Sequence, residues 1–130
     1  GLLNFELNIA CPEGVKPDAK TISWAIERNN NISIINDPQE AAEGANCIIT
    51  DTWRSMGDKS PFPEDQFIPF QVNKKIMELA DQNAIFMHCL PAYRNKEVSS
   101  EVLEGTQSVI FDEAENRLHA QKAIMHFCIT

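Results

Sequence analysis

Gln71-Val72-Asn73-Lys74-Lys75-Ile76-Met77-Glu78-Leu79-Ala80-Asp81 is followed, after Gln82-Asn83, by Ala84-Ile85-Phe86-Met87. In the first segment Val72, Ile76, Leu79 and Ala80 recur at i, i+4, i+7 and i+8, so they share one face of a helix. The second is a short unbroken apolar run with the length of a buried strand. A helix leading into a strand with no polar face is the repeating unit of an α/β fold.

The same alternation extends outward in both directions. Residues 5–10, 32–35, 47–50 and 108–111 are further apolar, β-branched runs, which makes five candidate strands in all. A helix is expected from Pro17, a residue suited to a first helical turn, with Ile22, Ala25 and Ile26 inward and the Asn29-Asn30-Asn31 run at its end. Asp37-Pro38 opens a short helix that closes near Gly44. The last helix is expected over about residues 112–127, with Asp112, Glu113 and Glu115 complementing its positive end and Leu118, Ala120, Ile124 and Phe127 inward. Strands joined by helical crossovers must pair in parallel, so the expected fold class is α/β, a Rossmann-like parallel sheet with helices on both faces. Residues 51–69, with Gly57, Pro61, Pro63 and Pro69, form the longest stretch without periodicity and read as a functional loop.

The whole chain has 130 residues, about what one hydrophobic core organises, so it is read as a single domain. Its formal charge of −8 argues against nucleic acid or an anionic membrane as partner, because the net field repels polyanions. One small anion held by one local Arg remains compatible with that field. No run approaches a membrane span, and Gly1 to Ala10 lack a basic region before an apolar one, so a soluble protein without an export signal is expected. Cys11, Cys47, Cys89 and Cys128 are widely spaced with no Cys-x-x-Cys pair, a pattern of reduced thiols in a cytosol-like compartment.

In open α/β sheets ligands bind beyond the carboxyl ends of the strands. That rule selects Cys11-Pro12-Glu13, the segment Asp51 to Gly57, His88-Cys89-Leu90-Pro91 and the segment Asp112 to Arg117. Asp51 offers a carboxylate to a cationic group, or else closes a turn on its own backbone. Ser55 and Met56, with Gly57, offer loop donors. His88 beside Cys89 could lower the thiol pKa to make a thiolate, although neighbours in an extended segment point to opposite sides. Cys89 is otherwise a buried structural thiol, as Cys11, Cys47 and Cys128 are expected to be. Arg117 could hold a phosphate or carboxylate, or pair with Glu113 one turn earlier. His119 and His126 read as structural or exposed, and Trp24 and Trp53 as packed. Together the groups suit a zwitterionic amine and an anionic leaving group.

Three strings in order, Asp51-Thr52-Trp53-x-Ser55-Met56-Gly57, Phe86-Met87-His88-Cys89-Leu90-Pro91-Ala92 and Asp112-Glu113-Ala114-Glu115-Asn116-Arg117-x-His119-Ala120-Gln121-Lys122-Ala123, resemble the carbamoyltransferase family, and within it the ornithine-binding half of the ornithine carbamoyltransferases. Ala10-Cys11-Pro12-Glu13-Gly14 and Phe70-Gln71-Val72-Asn73 support the match. The resemblance implies transfer of the carbamoyl group of carbamoyl phosphate to the δ-amine of L-ornithine, giving citrulline and phosphate with neither a metal nor an organic cofactor. It implies that Asp51, Ser55 and Met56 bind ornithine, that Cys89 and Leu90 line the junction of the two substrates, and that Cys89 and Arg117 serve catalysis, Arg117 at the carbamoyl oxygen. It further implies a trimer or a multiple of one, in the cytoplasm or, in a urea-cycle organism, the mitochondrial matrix.

The family's amino-terminal carbamoyl-phosphate domain, with its Ser-x-Arg-Thr loop and His-Pro segment, has no counterpart in these residues. Nor do the second domain's usual first strand, its Gly-Asp-Gly turn and most of the next helix, so residues 1–3 align with that helix's end. A fragment is therefore expected, with two unpaired strand edges where the first strand would lie. The rival readings are a carbamoyltransferase for putrescine or an acylated ornithine, and a non-catalytic amino-acid-binding or assembly module. A dinucleotide-binding domain is disfavoured, since no Gly-x-Gly-x-x-Gly follows the first strand.

Overall fold

Four of the five apolar runs become strands because β-branched residues pack well on a pleated surface. The computed structural model describes residues 5–28, 31–54, 57 and 62–130. Its strands are β1 (Leu7–Ala10), β2 (Ile32–Ile35), β3 (Cys47–Thr50) and β4 (Ile85–His88). β1 pairs in parallel with β2, Leu7 opposite Ile32. β3 pairs in parallel with β4, Cys47 opposite Ile85. The expected parallel pairing holds, but as two separate two-stranded sheets rather than one continuous sheet.

The fifth run does not form a strand. Ser108 makes a single bridge to Phe86, and Ile110 already begins a helix. The Phe86 N–H donates to the Gln107 carbonyl and the Val109 N–H donates to that of Phe86, which closes the outer edge of β4 with one residue's worth of ladder. Helix formation then takes the backbone of Ile110 and Phe111 before a strand can extend.

The helices are α1 (Ala19–Arg28), α2 (Pro38–Ala42), α3 (Lys74–Leu79), α4 (Ser100–Leu103) and α5 (Ile110–Ile129). Four of them start on side-chain caps. Asp37 accepts from the Gln39 N–H, Asn73 from Ile76 and Ser99 from Val102, each satisfying a donor that a helix start leaves open. α1 starts at Ala19 rather than Pro17, because Asp18 accepts both the Thr21 N–H at 2.9 Å and the Thr21 hydroxyl at 3.0 Å. α3 is shorter than its apolar stripe predicts. Val72 leaves the helix to bridge Val98, so Val72 and Ile76 reach the same core from a bridge and a helix respectively. Part of the 51–69 loop is ordered as a 3-10 helix, Glu64–Phe70.

The core gathers around β4. Phe86 and Val98 are sealed from solvent, with Val72, Ile76, Met77, Val102, Leu103 and Ile110 packed about them. Burying a side chain such as Phe86 contributes roughly 1.5–3 kcal/mol, so this half of the molecule carries the larger share of the stability. The other half contributes little to the core. α1 buries none of its residues, leaving Ile26 exposed and Ile22 and Ala25 only half-buried. α5 buries Ile110 alone, and its expected inner face is turned to solvent, with Phe127 84% exposed. Amphipathic periodicity specifies a helix, but burying its stripe needs a partner surface, and the described residues supply none for either helix.

Candidate substrate-binding site

β3 and β4 are adjacent and parallel, so the residues that follow them emerge side by side. Asp51 follows Thr50, and Cys89 follows His88. The Asp51 carboxylate accepts the Thr52 N–H at 2.7 Å, so the turn-closing role expected of it is real. It also meets Cys89, whose thiol pKa is raised by burial first, then by the hydrogen bond and charge of Asp51, then by the charge of Glu113. This overturns the expected thiolate. An acidic neighbour disfavours a second negative charge, so Cys89 is held as a neutral thiol.

His88 does not activate Cys89. His88 is buried and Cys89 exposed, and the causes that shift the Cys89 thiol, burial first, include Asp51 and Glu113 but not His88. The Leu90 N–H donates to His88 Nδ1 at 2.9 Å, which leaves the ring proton on Nε2 facing Glu97 Oε1 at 3.3 Å. Glu97 Oε1 also accepts the Tyr93 N–H. The imidazole thus clamps the loop that carries Cys89 and Leu90, and Leu90 adopts a left-handed backbone with φ of 54°. For a non-glycine residue that conformation costs on the order of 1–3 kcal/mol and persists only where neighbours enforce it.

Donor atoms of Asp51, His88 and Cys89 lie within 4.8 Å of one another. Both His88 nitrogens are already engaged, however, so the trio does not present a metal with three open ligands.

Two carboxylates have roles here that the sequence did not assign them: Glu97 lies outside the selected segments, and Glu113 lies within one of them without an expected part in the site. Glu97 is sealed from solvent, with Oε2 lacking a partner. Its position between Lys96 and Val98 carries no periodic signal in the sequence. Glu113 stands in the first turn of α5, as the dipole reading expects. Its Oε2 is also buried without a hydrogen-bond partner, and its charge acts on both Cys47 and Cys89. The expected Arg117 pair is not formed among the described residues. Arg117 stands exposed on α5, and the ion pair on that stretch is His119 with Glu115 at 3.7 Å.

Leu90 is half-buried against the core. Ser55 and Met56 lie outside the described residues, as do residues 1–3. Trp53 stacks on Phe67 with ring centroids 6.0 Å apart, while Trp24 is partly exposed under the Arg28 guanidinium. All four cysteines are free thiols. Cys11 and Cys47 are half-buried, and Cys128 is exposed rather than buried as expected, because it sits on the uncovered end of α5.

With this geometry in place, residues 1–128 match the family model for the aspartate/ornithine carbamoyltransferase Asp/Orn binding domain. The chain belongs to the aspartate/ornithine carbamoyltransferase family.

This carbamoyltransferase domain is 53% identical over 127 residues to an ornithine carbamoyltransferase of Brucella abortus, covering 97% of this chain and 41% of the relative. It superposes on the anabolic ornithine carbamoyltransferase of Campylobacter jejuni with a TM-score of 0.87 at 39% identity, covering 95% of this chain and 42% of that one. Against the ornithine carbamoyltransferase of Pyrococcus furiosus the TM-score is 0.82 at 44% identity, over 92% of this chain and 40% of that one. The chain therefore spans about two fifths of the length of the relatives it matches. No helix among the described residues of this carbamoyltransferase domain is long and apolar enough to cross a membrane.

Proposed function

We propose that these residues form the ornithine-binding half of an ornithine carbamoyltransferase, which transfers the carbamoyl group of carbamoyl phosphate to the δ-amine of L-ornithine to give L-citrulline and phosphate. The observation that carries the reading is the acidic corner of Asp51, Cys89 and Glu113 in a domain whose relatives are named ornithine carbamoyltransferases. A site that sets two carboxylates about a thiol is complementary to a cationic amine.

In this reading Asp51 anchors an ammonium group of ornithine, and Ser55 and Met56 meet its amino-acid end. Cys89 and Leu90 line the junction with carbamoyl phosphate, and Arg117 stabilises the carbamoyl oxygen as it becomes negative. The δ-amine must lose a proton before it attacks the carbamoyl carbon, and the phosphate then leaves with the C–O bonding pair. A bound ammonium offsets the field of Asp51 and Glu113, so the substrate itself lowers the cost of ionising Cys89. Arg117 acts where charge develops, the arrangement that discriminates transition state from ground state. The carbamoyl-phosphate domain, a homotrimer or a multiple of it, and a cytoplasmic setting complete the proposal.

The test is calorimetric titration of L-ornithine and of putrescine into the chain. Saturable ornithine binding, weaker for putrescine and lost in Asp51→Ala, is the expected result. Equal binding of both amines, or ornithine binding that Asp51→Ala leaves intact, overturns the assignment.

A further inference from the structure

Gln71 closes the 3-10 helix, its N–H donating to the Ile68 carbonyl at 3.2 Å, and its half-buried side chain crosses to a turn 24 positions further along the chain. There Nε2 donates to the Asn95 carbonyl at 3.0 Å and to the Lys96 carbonyl at 2.8 Å. Among the described residues neither carbonyl accepts a backbone N–H. They are neighbours on a tight turn, where Asn95 is left-handed with φ of 62° and its N–H donates to the Val98 carbonyl at 2.7 Å. Two adjacent carbonyls set their negative ends together, and a primary amide, with two hydrogens on one nitrogen, satisfies both without bringing a charge. The next residue grips the same turn. The Val72 N–H donates to the Glu97 carbonyl and the Ser99 N–H to the Val72 carbonyl, each at 2.9 Å. A second tie, Lys96 Nζ to Glu64 Oε1 at 3.0 Å, joins two partly exposed side chains and so holds the turn weakly.

We infer, resting on the function proposed above, that Gln71 is a positioning residue for that reaction: it holds Glu97 so that His88 keeps Cys89 beside Asp51. The backbone of Glu97 is fixed at its own carbonyl by Val72 and at the two preceding carbonyls by Gln71. Its carboxylate is thereby aimed at His88 Nε2, 3.3 Å away, and accepts the Tyr93 N–H. His88 Nδ1 in turn accepts the Leu90 N–H at 2.9 Å, which sets the segment that carries Cys89. Donor atoms of Cys89, His88 and Asp51 lie within 4.8 Å of one another in this arrangement. Gln71 touches no substrate in this role and acts through three links, the turn, Glu97 and His88. A side chain that served stability alone would leave the surroundings of the thiol unchanged in a folded variant.

The test uses Gln71→Met, similar in length and without donors, in the isotopically labelled 130-residue chain. In the parent chain the His88 ring nitrogens are expected to show the Nε2–H tautomer by NMR, with a slowly exchanging ring proton. In Gln71→Met that proton is expected to exchange roughly tenfold faster or more. Iodoacetamide is expected to alkylate Cys89 about threefold faster at a pH of about 8, as the thiol leaves the field of Asp51 and Glu113. In an Asp51→Asn background the same substitution is expected to add less than about twofold, because the two changes remove one interaction. Lys96→Met, which leaves both carbonyls bonded to Gln71, is expected to alter neither reading. Unchanged His88 and Cys89 readings in a folded Gln71→Met chain overturn the proposal, as does an undiminished effect in the Asp51→Asn background or an equal effect from Lys96→Met. Should Gln71→Met not fold, Gln71→Asn, whose amide falls one methylene short of the carbonyls, carries the same expectations. None of these measurements uses ornithine, so their failure and that of the ornithine titration are distinguishable.

Discussion

Glu97 lies 3.3 Å from His88, with both side chains sealed from solvent, and the pair fixes the loop that presents Cys89. The His88 ring accepts the Leu90 N–H at Nδ1 and donates its Nε2–H to Glu97. Glu97 then ties in Tyr93. The arrangement couples the end of β4 to a carboxylate nine residues further along the chain.

Removing that carboxylate strands the buried His88 Nε2–H and the partly buried Tyr93 N–H. Each unsatisfied donor costs about 1–3 kcal/mol, so Glu97→Ala is expected to destabilise by roughly 2–5 kcal/mol. Glu97→Gln keeps an oxygen for both donors and is expected to cost much less. Urea midpoints of the two variants check this, and equal losses would mean that the acceptor is not what matters.

Asp51→Asn removes one of the charges that raise the Cys89 pKa. At a fixed pH of about 8, near the ordinary thiol range, alkylation of Cys89 by iodoacetamide is expected to accelerate in this variant. Site-resolved mass spectrometry separates Cys89 from the other three thiols. Slower alkylation would show that Asp51 does not hold the thiol neutral.

Cys11, Cys47 and Cys89 all have raised pKa values, with burial the first cause in each. A thiol whose folded pKa exceeds its unfolded one stays protonated in the folded chain after the unfolded chain has ionised. The unfolded state then binds fewer protons, so stability falls as pH rises. This contribution is complete below the ordinary value of 9.0 and is lost as pH rises from there through the folded values. Urea midpoints at pH 8 and pH 10.5 are expected to show the loss, and Cys47→Ala is expected to make it shallower. An unchanged slope in that variant would assign the loss to other groups.

Phe86→Ala should destabilise by about 3–5 kcal/mol, because it opens a cavity at the centre of the core. Phe127→Ser is expected to stay within roughly 0.5 kcal/mol in the same assay, since its ring is turned to solvent. A large loss from Phe127→Ser would mean that a partner covers α5 in solution.

Arg117 has no ion-pair partner among the described residues, so Arg117→Ala is expected to leave stability and ornithine binding unchanged. In a polypeptide joining this domain to a carbamoyl-phosphate domain, the same change should lower kcat of citrulline formation by on the order of 10²–10³. Undiminished turnover would remove Arg117 from the catalytic groups.

The sequence by itself determined the elements. Periodicity located β2 and β3 to the residue, displaced β4 by one, and identified α2, α3 and α5, because local side-chain patterns and caps decide whether a segment becomes helix or strand. It also selected the ends of β3 and β4 as the site, since parallel strands bring their following residues together. Tertiary structure decided what those residues became. The sign of the Cys89 shift depends on Asp51 and Glu113, which lie 38 and 24 positions away in the chain and act only through space. Glu97 gained its role from a fold-back that no period encodes. The apolar faces of α1 and α5 read alike with or without a partner, and only the packing shows that the described residues leave them open. Which strand edges pair, β1 with β2 and β3 with β4, was likewise decided by the fold, because register is a relation between segments and not a property of either one.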